Sequence, residues 1–250
     1  DITLVGSHPF YKPAVTFSIN KSDAVTAVSQ SLKDDTLRLF DIKNKISVVP
    51  NFIDLDKYNH SYTDCQRAIM ARDNEKIITH ISNLRPVKRV QDIISVFYNI
   101  QKEMPAKLML VGEGPEREKI ELPCKKLDIL DKVIFFGKSN EIDKILAFSD
   151  LFLLPSETES FGLAALEAMA SSTAVISSNT GGIPEVNIQG VSGFLSNVGD
   201  IDDMTKNALY ILSDKKRLET FKANARKESL KFDLHKIVPQ YEAIYEDTLS

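Results

Sequence analysis

The sequence predicts an α/β fold built on a doubly wound parallel sheet. Short runs rich in Val, Ile, Leu and Phe recur along the chain, and each is hydrophobic almost throughout. Uninterrupted hydrophobicity is typical of strands that are buried on both faces of a parallel sheet. Segments with apolar residues at helical spacing separate these runs, and from about Asp200 only helical patterns follow. Strand–helix alternation of this kind indicates βαβ units.

Eight runs are predicted to be strands, in chain order Ala24–Ser29, Lys45–Pro50, Lys76–Ser82, Lys107–Gly112, Lys132–Gly137, Leu151–Pro155, Ala174–Ser178 and Gly193–Val198. Between them, Val90–Met104 is predicted to be a helix because its apolar residues fall on one side at helical spacing. Ile142–Phe148 predicts a second, shorter helix.

The chain is expected to contain the end of one domain followed by a complete second domain. Its 250 residues are enough for one to two domains. Residues 1–52 hold two or three strands, too few for an α/β domain, whereas residues 53–232 hold about six. Residues 233–250 are predicted to form a final helix. Because the chain starts without Met or a signal-type segment, we expect it to begin inside a folded unit.

The composition narrows the functional classes. Hydrophobic residues make up 43% of the chain, which supports a sizeable core and excludes an intrinsically disordered protein. The net charge of −4 argues against a nucleic-acid partner held by bulk charge. The longest apolar runs are far shorter than the ~20 residues of a membrane span. Two Cys and four His offer little for a disulfide framework or a metal centre, so we expect no metal and a cytoplasmic location.

The loops that follow the strands are the candidate binding regions, because ligands of open parallel sheets bind beyond the carboxyl ends of the strands. After the third run, Arg85, Lys88 and Arg89 lie close together. They could hold an anion beside a helix N-terminus, or they could form a solvated basic loop. After the fourth run, Gly112-Glu113-Gly114-Pro115 lacks the third glycine of a dinucleotide fingerprint, which favours a plain turn over a ligand contact.

The stretch after Leu151–Pro155 is the most informative. From Phe161 onward it is predicted to be a helix that is apolar almost all round and therefore buried, yet it contains Glu167. A buried carboxylate is costly unless it is paired or hydrogen-bonded. Glu167 could contact Lys or Arg at the rim of the helix, or it could accept hydrogen bonds from ligand hydroxyls. Glu159 lies in the loop before the helix, and Gly162 would let the helix N-terminus approach a phosphate.

A double glycine, Gly181-Gly182, follows the seventh run and is either another close-approach turn or an ordinary loop. With it, the motifs resemble the retaining family-four glycosyltransferases. The resemblance is carried by Glu159 and Glu167, separated by seven residues in the stretch ESFGLAALEAMA. Five further segments follow the family's order: Asn51–Asp54, the Arg85/Lys88 loop, Gly112–Pro115, Gly181–Glu185 and Gly193–Leu195. The resemblance implies the GT-B architecture, two Rossmann-like domains with the active site between them. That the final helix crosses back to the first domain is implied only by this family resemblance.

A narrower resemblance rests on Asp1–Gly6, Phe17–Ser29 and Ser82–Val90. These segments are similar to the branch of the family that acts in bacillithiol biosynthesis. The resemblance implies transfer of N-acetylglucosamine from UDP-GlcNAc to L-malate with retention of configuration. UDP-GlcNAc is then a substrate, and no cofactor is expected. The oligomeric state, including a homo-oligomer, stays open.

The resemblance also implies roles for individual residues. Arg85 and Lys88 would clamp the donor diphosphate in place of a metal ion and stabilise the leaving UDP, and Glu159 would hold sugar hydroxyls near the reacting carbon. Other donor contacts are implied for the ribose-binding Glu167, for the amides of Phe161, Gly162 and Leu163 near the sugar and β-phosphate, and for Lys138 near the uracil. Retention is usually assigned in this family to same-face attack assisted by the donor phosphate, so neither Glu is a nucleophile.

The chain by itself is expected to bind UDP weakly and to lack transferase activity. It resembles only the end of the first domain, which in the family supplies a donor loop, acceptor contacts and a His. Three alternatives stay open: a retaining transferase with another UDP- or GDP-sugar, a non-catalytic nucleotide-sugar-binding module, and a UDP-sugar 2-epimerase, which shares the two-domain architecture.

Overall fold

The structure, a computed structural model, describes residues 6–58 and 64–249, apart from the side chains of residues 64–66. The opening residues of the narrower resemblance and the Cys65 side chain lie outside this description. The chain divides into two compact units. One comprises the chain up to Ile53 together with the segment from Phe232 onward, and the other comprises Asp54–Lys231.

The first unit combines a small parallel sheet with helices. Its elements are α1 (Lys12–Lys21), β1 (Val25–Ala27), α2 (Gln30–Leu39), β2 (Ile46–Val48) and α11 (Leu234–Leu249). Both predicted strands are present and pair in parallel. The backbone amide of Ile53 donates to the Phe232 carbonyl at 3.0 Å, and Leu234 donates back to Ile53 at 3.0 Å. The Tyr241 hydroxyl donates to the Val49 carbonyl at 3.1 Å, so α11 packs on the segment that follows β2.

The second unit is built on a six-stranded sheet. Its strands are β3 (Lys76–Ile81), β4 (Ala106–Val111), β5 (Val133–Gly137), β6 (Leu151–Leu154), β7 (Ala174–Ser178) and β8 (Gly193–Ser196). Every neighbouring pair is parallel, in the order β5-β4-β3-β6-β7-β8. This is the strand order of a Rossmann-type doubly wound sheet, and it confirms the predicted fold class.

The described residues of this unit also form helices before, between and after the strands: α3 (Asp64–Met70), α4 (Val90–Glu103), α5 (Arg117–Lys126), α6 (Ile142–Ala147), α7 (Leu163–Ala170), α8 (Ile183–Val186), α9 (Ile201–Leu212) and α10 (Lys215–Ser229). Single turns of 3-10 helix occur at Leu55–Tyr58, Pro86–Lys88, Leu130–Lys132 and Leu230–Phe232. None of the helices in the described ranges is both long enough and apolar enough to cross a bilayer.

The core explains the hydrophobic pattern of the sequence. All four residues of β6 are buried, and in β3 only Lys76 reaches solvent appreciably. These strands therefore have covered side chains on both faces, as expected for a parallel sheet between helices. The predicted apolar side of α4 is buried as well, including Ile93 and Phe97. Helix α7 is one difference, because it begins at Leu163 rather than Phe161. Gly162 precedes it with φ 95°, a left-handed conformation that hydrophobic periodicity does not reveal.

The strand order fixes where a ligand site can form. The chain leaves β3 toward β4 on one side of the sheet, and later returns to β6 on the other side. Such a reversal opens a crevice at the carboxyl ends of the two central strands. Two segments flank it, the basic loop (residues 82–89) after β3 and the acidic loop (residues 155–162) after β6.

Candidate functional site

The basic loop is held in an unusual backbone shape. Leu84 has φ 37° and Arg89 has φ 49°, so a non-glycine residue adopts the left-handed region at each end of the loop's cationic segment. Such conformations cost on the order of 1–3 kcal/mol each and persist where surrounding contacts over-determine them. The shape of the loop therefore depends on its neighbours.

The glycine-rich turn after β4 is one of these neighbours. A Cβ on Gly112 would overlap the carbonyl oxygen of Ser82, and one on Gly114 would overlap that of Asn83. The amide of Glu116 donates to the Leu84 carbonyl at 3.1 Å. Both glycines therefore allow this turn to pack against the backbone of the basic loop, in agreement with the turn interpretation of the motif.

Lys88 and Glu159 join the basic loop to the acidic loop. The Lys88 ammonium donates to Glu159 Oε1 at 2.5 Å, and the Ser156 hydroxyl donates to the same oxygen at 2.9 Å. The amide of Glu157 donates to the Val87 carbonyl at 2.8 Å. The Lys88 and Glu159 side chains are only 20% and 15% exposed, so water screens this ion pair less than a surface pair. The structure thus brings two of the predicted site residues together.

The double glycine after β7 supports the acidic loop from another side. A Cβ on Gly181 would overlap the Glu159 carbonyl oxygen, and one on Gly182 would overlap that of Ser160. The Gly182 amide donates to the Glu159 carbonyl at 2.9 Å. The turn therefore fixes the backbone from which the Glu159 carboxylate projects.

Helix α7, which begins directly after the acidic loop, carries Glu167. Leu163, in the first turn, is 42% exposed, and Glu167 follows four residues later on the same face of the helix. The Tyr58 hydroxyl donates to Glu167 Oε1 at 3.4 Å. Burial raises the pKa of Glu167, and the hydrogen bond from Tyr58 opposes that rise. Burial and the nearby Glu167 charge also raise the pKa of Tyr58. The partner of Glu167 is thus a phenol, where the rim interpretation predicts Lys or Arg.

The remaining predicted residues lie around these loops. Phe161 and Gly162 are buried immediately before α7. Arg85 is exposed, and it forms no ion pair with any side chain that the structure describes. Lys138 is exposed directly after β5, at the same edge of the sheet, where the Gly137 carbonyl accepts from the Gly112 amide at 2.7 Å.

Two residues of this region escape the sequence analysis. Tyr58 lies in a polar stretch beyond the first unit, and it contacts Glu167, 109 residues later in the chain, only because the protein is folded. His80 lies inside a hydrophobic strand and is fully buried next to the basic loop. A polar imidazole in such a run was the available signal, because buried polar groups require hydrogen-bond partners.

The arrangement suits a ligand with anionic and hydroxyl groups. Lysine, arginine and the N-terminus of α7 can hold an anion, and carboxylate oxygens accept hydrogen bonds from hydroxyls. Within the described residues, no group of three or more His, Cys, Asp or Glu side chains is placed to hold a metal ion.

Comparisons with protein-family models and with curated proteins give matches over most of the chain. Residues 64–228 match the family model described as Glycosyl transferases group 1, and residues 3–57 match the model for Glycosyltransferase Family 4. The chain is 44% identical over 251 residues to N-acetyl-alpha-D-glucosaminyl L-malate synthase of Bacillus anthracis, covering 100% of this chain and 66% of that protein. It is 30% identical over 170 residues to D-inositol 3-phosphate glycosyltransferase of Mycolicibacterium smegmatis, covering 64% of this chain and 38% of that protein.

A solved structure matches nearly the whole fold. It is Anabaena Alr3699/HepE in complex with UDP and glucose, with a TM-score of 0.89 and 23% identity over 98% of this chain and 69% of that one. This likeness shows the fold, that of the GT-B glycosyltransferases. The chain spans less than two thirds of the length of the curated relatives described above.

Proposed function

The chain belongs to the group 1 glycosyltransferases, and from that membership we propose that it is the donor-binding part of a retaining enzyme that transfers N-acetylglucosamine from UDP-GlcNAc to L-malate. The observation that carries the proposal is the meeting of Lys88, Glu159 and the start of α7 at the crevice between β3 and β6. The 44% identical relative supports this pair of substrates. Bacillithiol biosynthesis in the cytoplasm is the setting that fits them.

The diphosphate of the donor would lie between the basic loop and α7. Negative charge on UDP grows as the bond to the sugar breaks, so cations there stabilise the transition state more than the bound donor. Glu159 already orients the Lys88 ammonium at 2.5 Å. Arg85, exposed at the other end of the turn, would supply a second cation. The amides of Phe161, Gly162 and Leu163 would contact the β-phosphate and sugar, and together these groups take the charge-neutralising role of a metal ion.

The nucleoside and the sugar would use the two carboxylates. Glu167 would accept hydrogen bonds from the ribose hydroxyls, and the backbone at Lys138 would lie near the uracil. Glu159 would hold sugar hydroxyls through the oxygen that Lys88 does not contact. In the transfer step, the malate hydroxyl oxygen bonds to the anomeric carbon, the carbon–oxygen bond to UDP breaks, and the hydroxyl proton passes to a β-phosphate oxygen. Attack on the face that UDP leaves preserves the configuration, without a glutamate nucleophile.

The proposal is tested by the release of UDP from UDP-GlcNAc in EDTA, with and without L-malate. The assay compares the chain alone with the chain joined to the part of the 44% identical relative that it does not cover. We expect malate-dependent release from the joined protein, little from the chain alone, and a large loss of kcat in a joined Lys88→Met variant. Malate-independent release would overturn the acceptor. No release, with UDP-dependent thermal stabilisation retained, would favour a binding module, and loss of both would refute the proposal.

A further inference from the structure

His80 occupies the sheet directly beneath the basic loop. It is the fifth residue of the six-residue strand β3, next to β6 at the crevice. Its side chain is fully buried, and its ring stacks on that of Phe152 with centroids 6.2 Å apart. A buried imidazole without hydrogen bonds is strongly unfavourable, so the partners of its two nitrogens decide what it can do.

Those partners fix a single tautomer. Nδ1 lies 2.8 Å from the carbonyl oxygen of Leu153, which can only accept, so Nδ1 carries the proton. Nε2 of the neutral ring is then an acceptor, and the Ser82 hydroxyl at 2.7 Å donates to it. The Ser82 oxygen in turn accepts from the Leu84 amide at 3.1 Å. The direction of every hydrogen bond from Leu84 to Leu153 is therefore determined.

The end of this chain of hydrogen bonds is a strained residue. Leu84 is buried and has φ 37°, and it immediately precedes Arg85. A left-handed leucine needs specific contacts to persist. The Ser82 hydroxyl holds its amide, and the Glu116 amide holds its carbonyl. Loss of the first contact would let Leu84 relax and would displace the cationic residues that follow it.

The contact between Ser82 and the Leu84 amide also depends on His80 being neutral. Burial and the nearby Lys88 charge lower the pKa of His80 to about 4. A protonated ring would donate from both nitrogens, so it could not accept from Ser82, and it would repel Lys88. The histidine therefore keeps its acceptor nitrogen through the physiological pH range.

We propose that His80 and Ser82 are positioning residues, which hold the basic loop so that Lys88 meets Glu159 and the diphosphate of the donor. The role of these residues in presenting Lys88 to the diphosphate rests on the proposed function. Their role in holding the basic loop rests on the hydrogen bonds alone. Positioning of this kind matters because displacing a binding group by about 1 Å can cost on the order of a hundredfold in rate.

The test compares three variants of the 250-residue chain. Ser82→Ala removes the hydroxyl, and Ser82→Thr retains it. Thr79→Val is the matched control, because Thr79 lies on the same strand as His80 and its hydroxyl makes a buried 2.6 Å hydrogen bond with Ser149, which is outside the basic loop. Hydrogen exchange of the Leu84 amide reports on the loop, an NMR titration gives the Kd for UDP, and nitrogen-15 NMR identifies the His80 tautomer.

For Ser82→Ala we expect Leu84 to exchange at least tenfold faster and UDP to bind about tenfold more weakly. Ser82→Thr should restore both values, while Thr79→Val should lower the Tm and change neither. Unaltered exchange in Ser82→Ala, or an equal change in Thr79→Val, would overturn the proposal. A wild-type His80 protonated at Nε2 would overturn it even if Ser82→Ala does not fold. Faster exchange in a protein whose wild type binds no UDP would support the loop contact and refute the proposed ligand.

Discussion

Glu167 illustrates a conflict between stability and binding at a single residue. Its carboxylate is largely buried, and Tyr58 donates a hydrogen bond of 3.4 Å to it. Burial raises the pKa of Glu167, so the folded state binds a proton more tightly than the unfolded state does. The free energy of unfolding therefore falls as the pH rises from the usual carboxyl pKa through the raised one. At neutral pH the charged group is a cost of folding that a ligand with hydroxyls would offset.

We predict that Glu167→Gln stabilises the ligand-free protein at pH 7 by about 0.5–2 kcal/mol, because it removes a buried charge. The gain should shrink toward pH 4, where Glu167 itself becomes protonated. UDP binding should weaken by about 1.5–3 kcal/mol, the usual value of a charged hydrogen bond. Thermal unfolding from pH 4 to 8 and calorimetric titration measure both effects. Glu219→Gln, at an exposed position of α10, should change neither, and a less stable Glu167→Gln at pH 7 would refute the reasoning.

The Lys88–Glu159 pair allows a second prediction at this scale. Because both side chains are mostly buried, a double-mutant cycle with Lys88→Met and Glu159→Gln should give a coupling of about 0.5–3 kcal/mol in the free energy of unfolding. The exposed Lys144–Glu141 pair should give no more than about 0.5 kcal/mol. Saturating UDP should reduce the first coupling, since Lys88 would then bind phosphate. Equal couplings for the two pairs would contradict the importance of burial.

At the scale of elements, close backbone approach shapes the loops of the site. Gly181 and Gly190 both have left-handed φ values, 54° and 71°. A Cβ on Gly181 would overlap the Glu159 carbonyl oxygen, whereas a Cβ on Gly190 would meet nothing within 4 Å. Substitution of Gly190 by Ala therefore measures the cost of backbone strain alone, whereas the same substitution at Gly181 adds the cost of displacing a neighbour.

We predict that Gly190→Ala costs about 1–2 kcal/mol, the penalty for a left-handed non-glycine residue. Gly181→Ala should cost about 1–3 kcal/mol more, because its methyl group must displace the acidic loop. It should also weaken UDP binding, since Glu159 moves with that loop. Urea unfolding and UDP titration of both variants check the difference. Equal destabilisation, with UDP affinity unchanged in both, would show that the acidic loop does not depend on Gly181.

The same elements explain what the sequence could predict. Each strand in the described part of the chain is visible in the sequence as an apolar run. For β6 and β7, whose residues are all buried, the reason is that strands covered on both faces leave an uninterrupted pattern, whereas β1 is partly exposed. The glycine pairs can be recognised in the sequence as turns. The loops that they contact follow other strands, however, and only the order of the strands in the sheet determines which loops these are. Tyr58 and His80 cannot be recognised from the sequence for the same reason, because the role of each depends on a residue that is distant in sequence. Tyr58 contacts Glu167, and His80 contacts Leu153. The start of α7 is misplaced by two residues, because a left-handed glycine leaves no trace in hydrophobic spacing.

At the scale of the whole molecule, the site and the large sheet belong to one unit. Lys88, Glu159, Glu167 and Tyr58 all lie within Asp54–Lys231, and so do all six strands of the large sheet. A doubly wound sheet with helices has its own hydrophobic core, which is the requirement for independent folding. The donor-side contacts described above should therefore survive without the other unit.

We predict that residues 54–231, produced alone, unfold in one cooperative transition and bind UDP within about threefold of the 250-residue chain. Circular dichroism during urea unfolding and an NMR titration with UDP provide the measurements. Lys88→Met in the same fragment is the control, and its UDP affinity should fall as far as it does in the longer chain. A folded fragment that has lost UDP affinity would mean that residues of the first unit contribute to donor binding. A fragment that does not fold would refute the prediction, because it would show that the hydrophobic core of the larger unit is not sufficient for independent folding.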